Sequence, residues 1–204
     1  MQRSMDGGRN RAGFSLLEVL IVVAIGIILT AVALPEMMNM IANMRLRSSM
    51  TSVSGMLQDT RMVAVKQNKT KTACHYNWNV MPFALVYFTR DATDCTGLTA
   101  ADTDPQVELQ APITPMGTPS GTLAPAAILN SQLGLLSSPL TSDPSFNSRG
   151  LPCAFSGGTC TTNSGFITYY KDNRIGGSGG WAAISISPAG RINRWFWNGS
   201  SWTN

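Results

Sequence analysis

The chain has 204 residues, 44% of them apolar and 13% charged, with a formal net charge of +4. This balance excludes a highly charged disordered chain and leaves enough apolar sequence for a core. Arg3, Arg9 and Arg11 stand at the N-terminus, and from Pro35 onward 12 basic side chains face 9 acidic ones. That small excess is a weak pull toward an anionic partner and is not by itself a nucleic-acid signature. Nineteen glycines and 11 prolines, with many Ser, Thr and Asn, give a loop-rich, β-leaning composition.

The first element is Gly13-Phe14-Ser15-Leu16-Leu17-Glu18, followed by nearly unbroken apolar sequence to Leu34. Over residues 14–34 the only charge is Glu18. A helix of that length spans roughly 30 Å, the thickness of a bilayer's hydrocarbon core. A carboxylate at the centre of such a span costs on the order of 2.5–3.5 kcal/mol, so it needs a compensating partner. An ordinary secretory signal fits poorly. Its apolar region runs to about 7–15 residues and ends at a small-residue cleavage site. Here the run is longer, and Leu34-Pro35-Glu36 offers no such site. A plain uncleaved anchor explains the apolar length but neither the Gly13-Phe14 junction nor Glu18.

A short basic leader, a glycine, a phenylalanine and then a glutamate resemble the type III signal of type IV pilins and type II secretion pseudopilins. The resemblance implies that a prepilin peptidase cuts between Gly13 and Phe14 and methylates Phe14 as the new N-terminus. It also implies that Glu18 pairs with the ammonium group of a neighbouring subunit. Arginines on the N-terminal side of the span keep that end cytoplasmic. The rest of a bacterial chain then faces the periplasm, anchored in inner-membrane lipid.

Pro35 removes a backbone donor and predicts a kink in the helix. Many type IV pilins carry a proline at this distance from the cut, which implies a part for Pro35 in subunit assembly. Beyond it, Leu46, Met50, Val53, Leu57 and Ala64 recur on one helical face. Arg45, Ser48, Ser52, Asp59 and Lys66 lie off that stripe. The helix is expected to reach about Lys66, its second half amphipathic and lying on a sheet. Seven of the 11 methionines fall between Met37 and Met62. Flexible packing against the sheet and neighbouring helices explains them better than a metal-binding or adaptable face.

Strands are expected at residues 72–78, 83–89 and 107–113, with a polar loop over 91–105. Residues 116–144 read as long loops with short strands. A further strand at 146–150 leads to a loop between Cys153 and Cys160. Residues 165–171 and 181–187 alternate and read as strands around a glycine-rich turn, Gly176 to Gly180. Pro188-Ala189-Gly190 is a tight turn into a last strand, 191–197.

Four cysteines in an oxidising compartment suggest bridges. They allow three connectivities, and the two local ones, Cys74–Cys95 and Cys153–Cys160, are favoured. No metal site is expected, because there is no Cys-x-x-Cys and His75 is the only histidine. Asp91, Asp94, Asp102 and Asp104 offer oxygen ligands for calcium, but a solvated loop is the better reading. No enzyme and no cofactor are expected. His75 has no identifiable nucleophile, no carboxylate pair shares an element, and the glycine run lacks the lysine and helix of a phosphate-binding loop.

Phe146-Asn147-Ser148-Arg149-Gly150, and then Ile184-Ser185-Ile186-Ser187-Pro188-Ala189-Gly190-Arg191, resemble the GspH/FimT branch of the pilin superfamily. The fold implied is α+β and pilin-like: a long N-terminal helix packed on a C-terminal domain of two antiparallel sheets. The implied organisation is a cleaved leader at 1–13, a transmembrane helix at 14–34, its amphipathic continuation at 35–66 and a periplasmic domain at 67–204. The function implied is a minor pilin or pseudopilin at or near the tip of a periplasmic filament, whose partners are other pilins or pseudopilins. A second reading is a DNA-binding minor pilin for natural transformation. Some relatives bind DNA through a C-terminal Gly-Arg-x-Arg motif, matched here by Gly190-Arg191-Ile192-Asn193-Arg194. The second arginine stands one residue late, so in a strand Arg191 and Arg194 point to opposite faces unless a bulge intervenes. Trp195, Trp197 and Trp202 follow. Either they stack on bases or they fill the sheet core.

Overall fold

The structure, a computed structural model, describes residues 15–77, 83–91, 93, 95–101 and 103–204. The chain forms two compact units, Met1–Met40 and Ile41–Asn204. One helix, α1 (Leu16–Gln67), runs through both, with Pro35 inside it rather than at an end. In the first unit its apolar side chains are exposed along their length. The helix is long and apolar enough to cross a membrane. The helix ends where Asn68 turns left-handed (φ 50°) and the Lys69 amide donates back to the Ala64 carbonyl at 3.1 Å. Lys66 in the last turn suits the negative end of the helix dipole.

In the second unit α1 packs on two antiparallel sheets. The first contains β1 (Lys71–Asn77), β2 (Phe83–Asp91), β3 (Gln106–Gln110), β5 (Ser145–Phe146), β6 (Pro152–Ser156) and β7 (Thr159–Thr162), in the order β3-β2-β1-β5-β6-β7. The second contains β4 (Ile113–Met116), β8 (Phe166–Asp172), β9 (Trp181–Ile186), β10 (Ile192–Trp197) and β11 (Trp202–Thr203), in the order β11-β10-β9-β8-β4. The main core lies between α1 and both sheets. Leu46, Met50, Val53, Leu57 and Ala64 meet Leu85 and Phe146 of one sheet and Tyr170 and Ile184 of the other. All five stripe residues are buried. The gap in the stripe is filled by Thr60, fully buried, whose hydroxyl donates to the Met56 carbonyl at 2.9 Å and also meets Thr89 Oγ1.

Several expected elements differ. The single strand expected at 107–113 is two, β3 and β4, and they belong to different sheets. Pro112 lies between them and has no amide to donate to a ladder. The strand expected at 146–150 stops after Phe146. Asn147 Oδ1 accepts from the amides of Arg149 and Leu151, at 2.9 and 3.0 Å, and holds that stretch in a turn instead. The loop between Cys153 and Cys160 is a hairpin, β6–β7, turned by Gly157 and Gly158. The far end of the strand expected at 72–78 lies outside the described residues. Between Met116 and Ser145 no strand forms. There is one helical turn, α2 (Asn130–Leu133), and an isolated bridge from Leu140 to Phe166.

That segment covers the face of the second sheet turned away from α1. Ile128 and Leu133 pack on Ile167, Tyr169, Trp181 and Trp195. The Ile128 amide donates to the Tyr169 hydroxyl at 3.0 Å, and the Trp202 indole donates to the Ala126 carbonyl at 2.6 Å. With α1 on one face and this segment on the other, every residue of β9 is buried.

Truncating the stripe tests this arrangement. Met50 is 0% exposed and Met44 is 61% exposed. Met50→Ala is expected to lower unfolding stability by about 2–5 kcal/mol, read from the urea midpoint of the detergent-solubilised chain, with Met44→Ala near neutral.

Candidate functional site: the N-terminal segment and a basic groove beside α1

Gly13 and Phe14 lie outside the described residues. Glu18 sits in the first turn of α1, where its amide donates to the Ser15 carbonyl at 3.0 Å and the dipole favours a carboxylate. Its side chain is exposed, and none of the four described ion pairs involves it.

Both local disulfides are formed. Cys74 in β1 joins Cys95, and Cys153 in β6 joins Cys160 in β7. The first ties the 91–105 loop to the sheet and buries Phe88 beside it. Asp143 lies close to its two sulfurs, but bridged sulfurs offer no thiolate to a metal. Within the acidic loop, Asp91 pairs with Lys71, which holds its carboxyl below the ordinary range. Burial pushes the Asp104 carboxyl up, but the Ala101 amide and the Arg90 guanidinium outweigh it and leave it low. Asp94 and Asp102 lie outside the described residues. Two of the four carboxylates are thus already matched by cations.

His75 has a partner that the sequence does not reveal. Its Nδ1 meets Asp143 Oδ1, and its ring lies 5.3 Å from that of Tyr87. The Tyr87 hydroxyl in turn meets that of Tyr170, and burial pushes both phenols well up. Among the described contacts no hydroxyl or thiol nucleophile is bonded to the imidazole. The glycine-rich turn presents carbonyls to Lys171. Ile175, Gly177 and Gly179 accept from the Lys171 ammonium, whose pKa burial lowers. A phosphate cradle presents amides instead.

The arginines of the C-terminal strand both border α1. Arg191 precedes β10, so strand alternation does not set its direction. It lines a surface groove of about 630 Å³ with Arg61, Met62, Val65 and Lys66 of the helix. Arg194, within β10, donates to Thr51 Oγ1 at 2.7 Å. The expectation that they point to opposite faces is therefore corrected. The tryptophans lie elsewhere. Trp195 and Trp202 are buried in the cluster away from α1, and the Trp195 indole donates to Ser185 Oγ at 2.8 Å. Arginines and tryptophans do not form one surface.

Arg61 was not legible as a special residue. Its guanidinium donates to the Gly190 carbonyl at 3.0 Å. A Cβ on Gly190 would stand 3.1 Å from Arg61 Cζ, and one on Gly150 would stand 3.1 Å from Arg61 Nε. Both glycines are left-handed, with φ of 81° and 74°. The two C-terminal motifs, one ending in Gly150 and the other in Gly190-Arg191, thus converge on one helix side chain.

Residues 8–34 match the prokaryotic N-terminal methylation motif. No curated protein and no solved structure matches the chain. A long apolar N-terminal helix packed on antiparallel sheets defines a pilin-like α+β protein. The motif at its head supports a type IV pilin-like structural subunit, processed by prepilin peptidase and assembled with other pilins.

Gly190→Ala is expected to destabilise the fold by about 1–3 kcal/mol, from the left-handed backbone together with the contact on Arg61. Urea unfolding followed by tryptophan fluorescence reads it, with the open, exposed Gly117→Ala as control.

Proposed function

We propose that this chain is a minor pilin or pseudopilin of the GspH/FimT kind. It serves as a structural subunit at or near the tip of a type II secretion pseudopilus or a type IV pilus. The observation that carries the reading is the methylation motif at residues 8–34, set at the head of an exposed apolar helix that continues into a folded domain. In this reading the leader 1–13 is removed after Gly13, Phe14 is methylated, and the span anchors the chain in the inner membrane with residues 67–204 in the periplasm.

Assembly follows from the electrostatics of Glu18. An unpaired carboxylate in lipid is costly, and pairing with the α-ammonium of a neighbour's Phe14 relieves that cost. Because only one axial offset brings the two charges together, the pair selects both partner and stagger. Pro35, which leaves a backbone carbonyl without its helical donor, loosens α1 and lets packed spans adjust.

A second reading, DNA uptake, is favoured by one observation. Arg191 and Arg194 both lie on the α1 side of the second sheet, and neither they nor Arg61 and Lys66 enter any described ion pair. An exposed cationic strip of this kind suits phosphates, without the aromatic stacking that the tryptophans would have supplied.

Glu18→Val is expected to leave the protein in the membrane while blocking its entry into the filament, read by fractionation and sheared-filament blots. Normal assembly of that variant would remove Glu18 from the mechanism. For the DNA reading, duplex binding should weaken steeply with salt and fall at least about tenfold in Arg191→Ala/Arg194→Ala. No binding by wild type at low salt sinks it.

A further inference from the structure

The groove beside α1 has an apolar floor and a basic rim. Met62 and Val65 are 66% and 49% exposed, and Arg61, Lys66 and Arg191 surround them without an acidic partner among the described ion pairs. The chain also carries a segment of matching chemistry. Glu36 is the only charge between Val19 and Met44. It is exposed, and it is followed by Met37, Met38, Met40 and Met44, each at least 59% exposed. It too enters none of the described ion pairs. Glu36 and Arg61 are separated by about seven turns of one helix, so they cannot meet within a chain.

We infer that the groove at Arg61–Lys66 and Arg191 receives the Glu36–Met44 stretch of α1 from a second copy of this chain. Glu36 lies against the basic rim, and the methionines fill the apolar floor. Methionine suits this use, since its unbranched thioether adapts to an irregular surface. A phosphate backbone would satisfy the rim but leave Met62 and Val65 facing water, so an apolar helix with a single carboxylate is the better fit.

The inference rests on the filament reading and adds a contact to it. Two parallel α1 helices joined in this way are offset by about seven turns, whereas the Glu18–Phe14 pair needs about one. The two contacts therefore involve different neighbours. Copies resting at one depth in a bilayer cannot reach such an offset, so this contact exists only after subunits have been displaced axially. It also requires at least two copies in one filament.

All four native cysteines are bridged, so introduced thiols react alone. Two differently tagged full-length copies are co-expressed in a host that assembles the filament, one with Met37→Cys and the other with Met62→Cys. Oxidation is expected to yield a mixed-tag dimer in sheared filaments and none in resting membranes. Glu36→Lys in the first copy should lower the yield about tenfold, and Lys66→Glu/Arg191→Glu in the second should restore it. Intact mass of the same sample reports cleavage after Gly13. Processed, filament-borne protein that gives no dimer overturns this contact and leaves the pilin-type reading standing. A dimer insensitive to the charge swap, or a crosslink from position 62 to a different protein, also overturns it. Unprocessed protein absent from filaments removes both.

Discussion

The fold depends on burying one stripe of one helix. Leu46, Met50, Val53, Leu57 and Ala64 are apolar and repeat at helical spacing, and water exposure of all five would cost several kcal/mol. Two sheets share the task of covering them, and this is why α1 belongs to the main core throughout its second half. The sheets also meet each other there. Tyr87 from one and Tyr170 from the other share a hydroxyl contact, buried and therefore obligatory. Thr60 shows the same rule on the helix itself. A hydroxyl in the stripe is tolerated because it finds the Met56 carbonyl and Thr89.

Once the stripe is seated, the flanks of α1 acquire their chemistry by position. The turn ending at Gly150 and the turn ending at Gly190 come from different sheets, yet both close on Arg61. β10 then runs beside the helix so that Ile192 lies near the groove, Arg194 near Thr51 and Phe196 under Arg47, whose guanidinium is 4.5 Å from the ring centroid. A cationic edge results from residues far apart in sequence. The groups that suggest catalysis are absorbed in structure. The imidazole of His75 engages Asp143, and Lys171 is surrounded by carbonyls of its own turn. The apolar span and the groove lined by Met62, Val65, Lys66 and Arg191 stay exposed, and their apolar and basic character suits a surface that meets other macromolecules.

Much of this was legible beforehand, for local reasons. The helix, its stripe and the strands around the glycine-rich turn follow from periodicity, which is a property of neighbouring residues. The two bridges favoured on proximity are the ones formed. The failures share one cause. Residues 107–113 read as one strand because periodicity does not reveal that Pro112 hands the chain from one sheet to another. Residues 146–150 read as a strand because the pattern cannot weigh the side-chain amide of Asn147 against a ladder. Residues 116–144 lack periodicity altogether, yet they form the second cover of β9, since what orders them is the tryptophan and tyrosine face they land on.

The amino-acid sequence alone determined the N-terminal motif, the apolar span with its single carboxylate, and the amphipathic helix beyond. Each is a short-range pattern whose physical meaning, membrane transfer or helical periodicity, does not depend on what the rest of the chain does. Only the tertiary structure decided where the arginines and tryptophans of the last strand go. Strand alternation placed Arg191 and Arg194 on opposite faces. The turn before β10 frees Arg191 from that alternation, and α1 draws both arginines to its side while Trp195 is buried and Trp197 half-buried on the other. Contacts between distant segments carry that outcome, and no local pattern records which segments will meet.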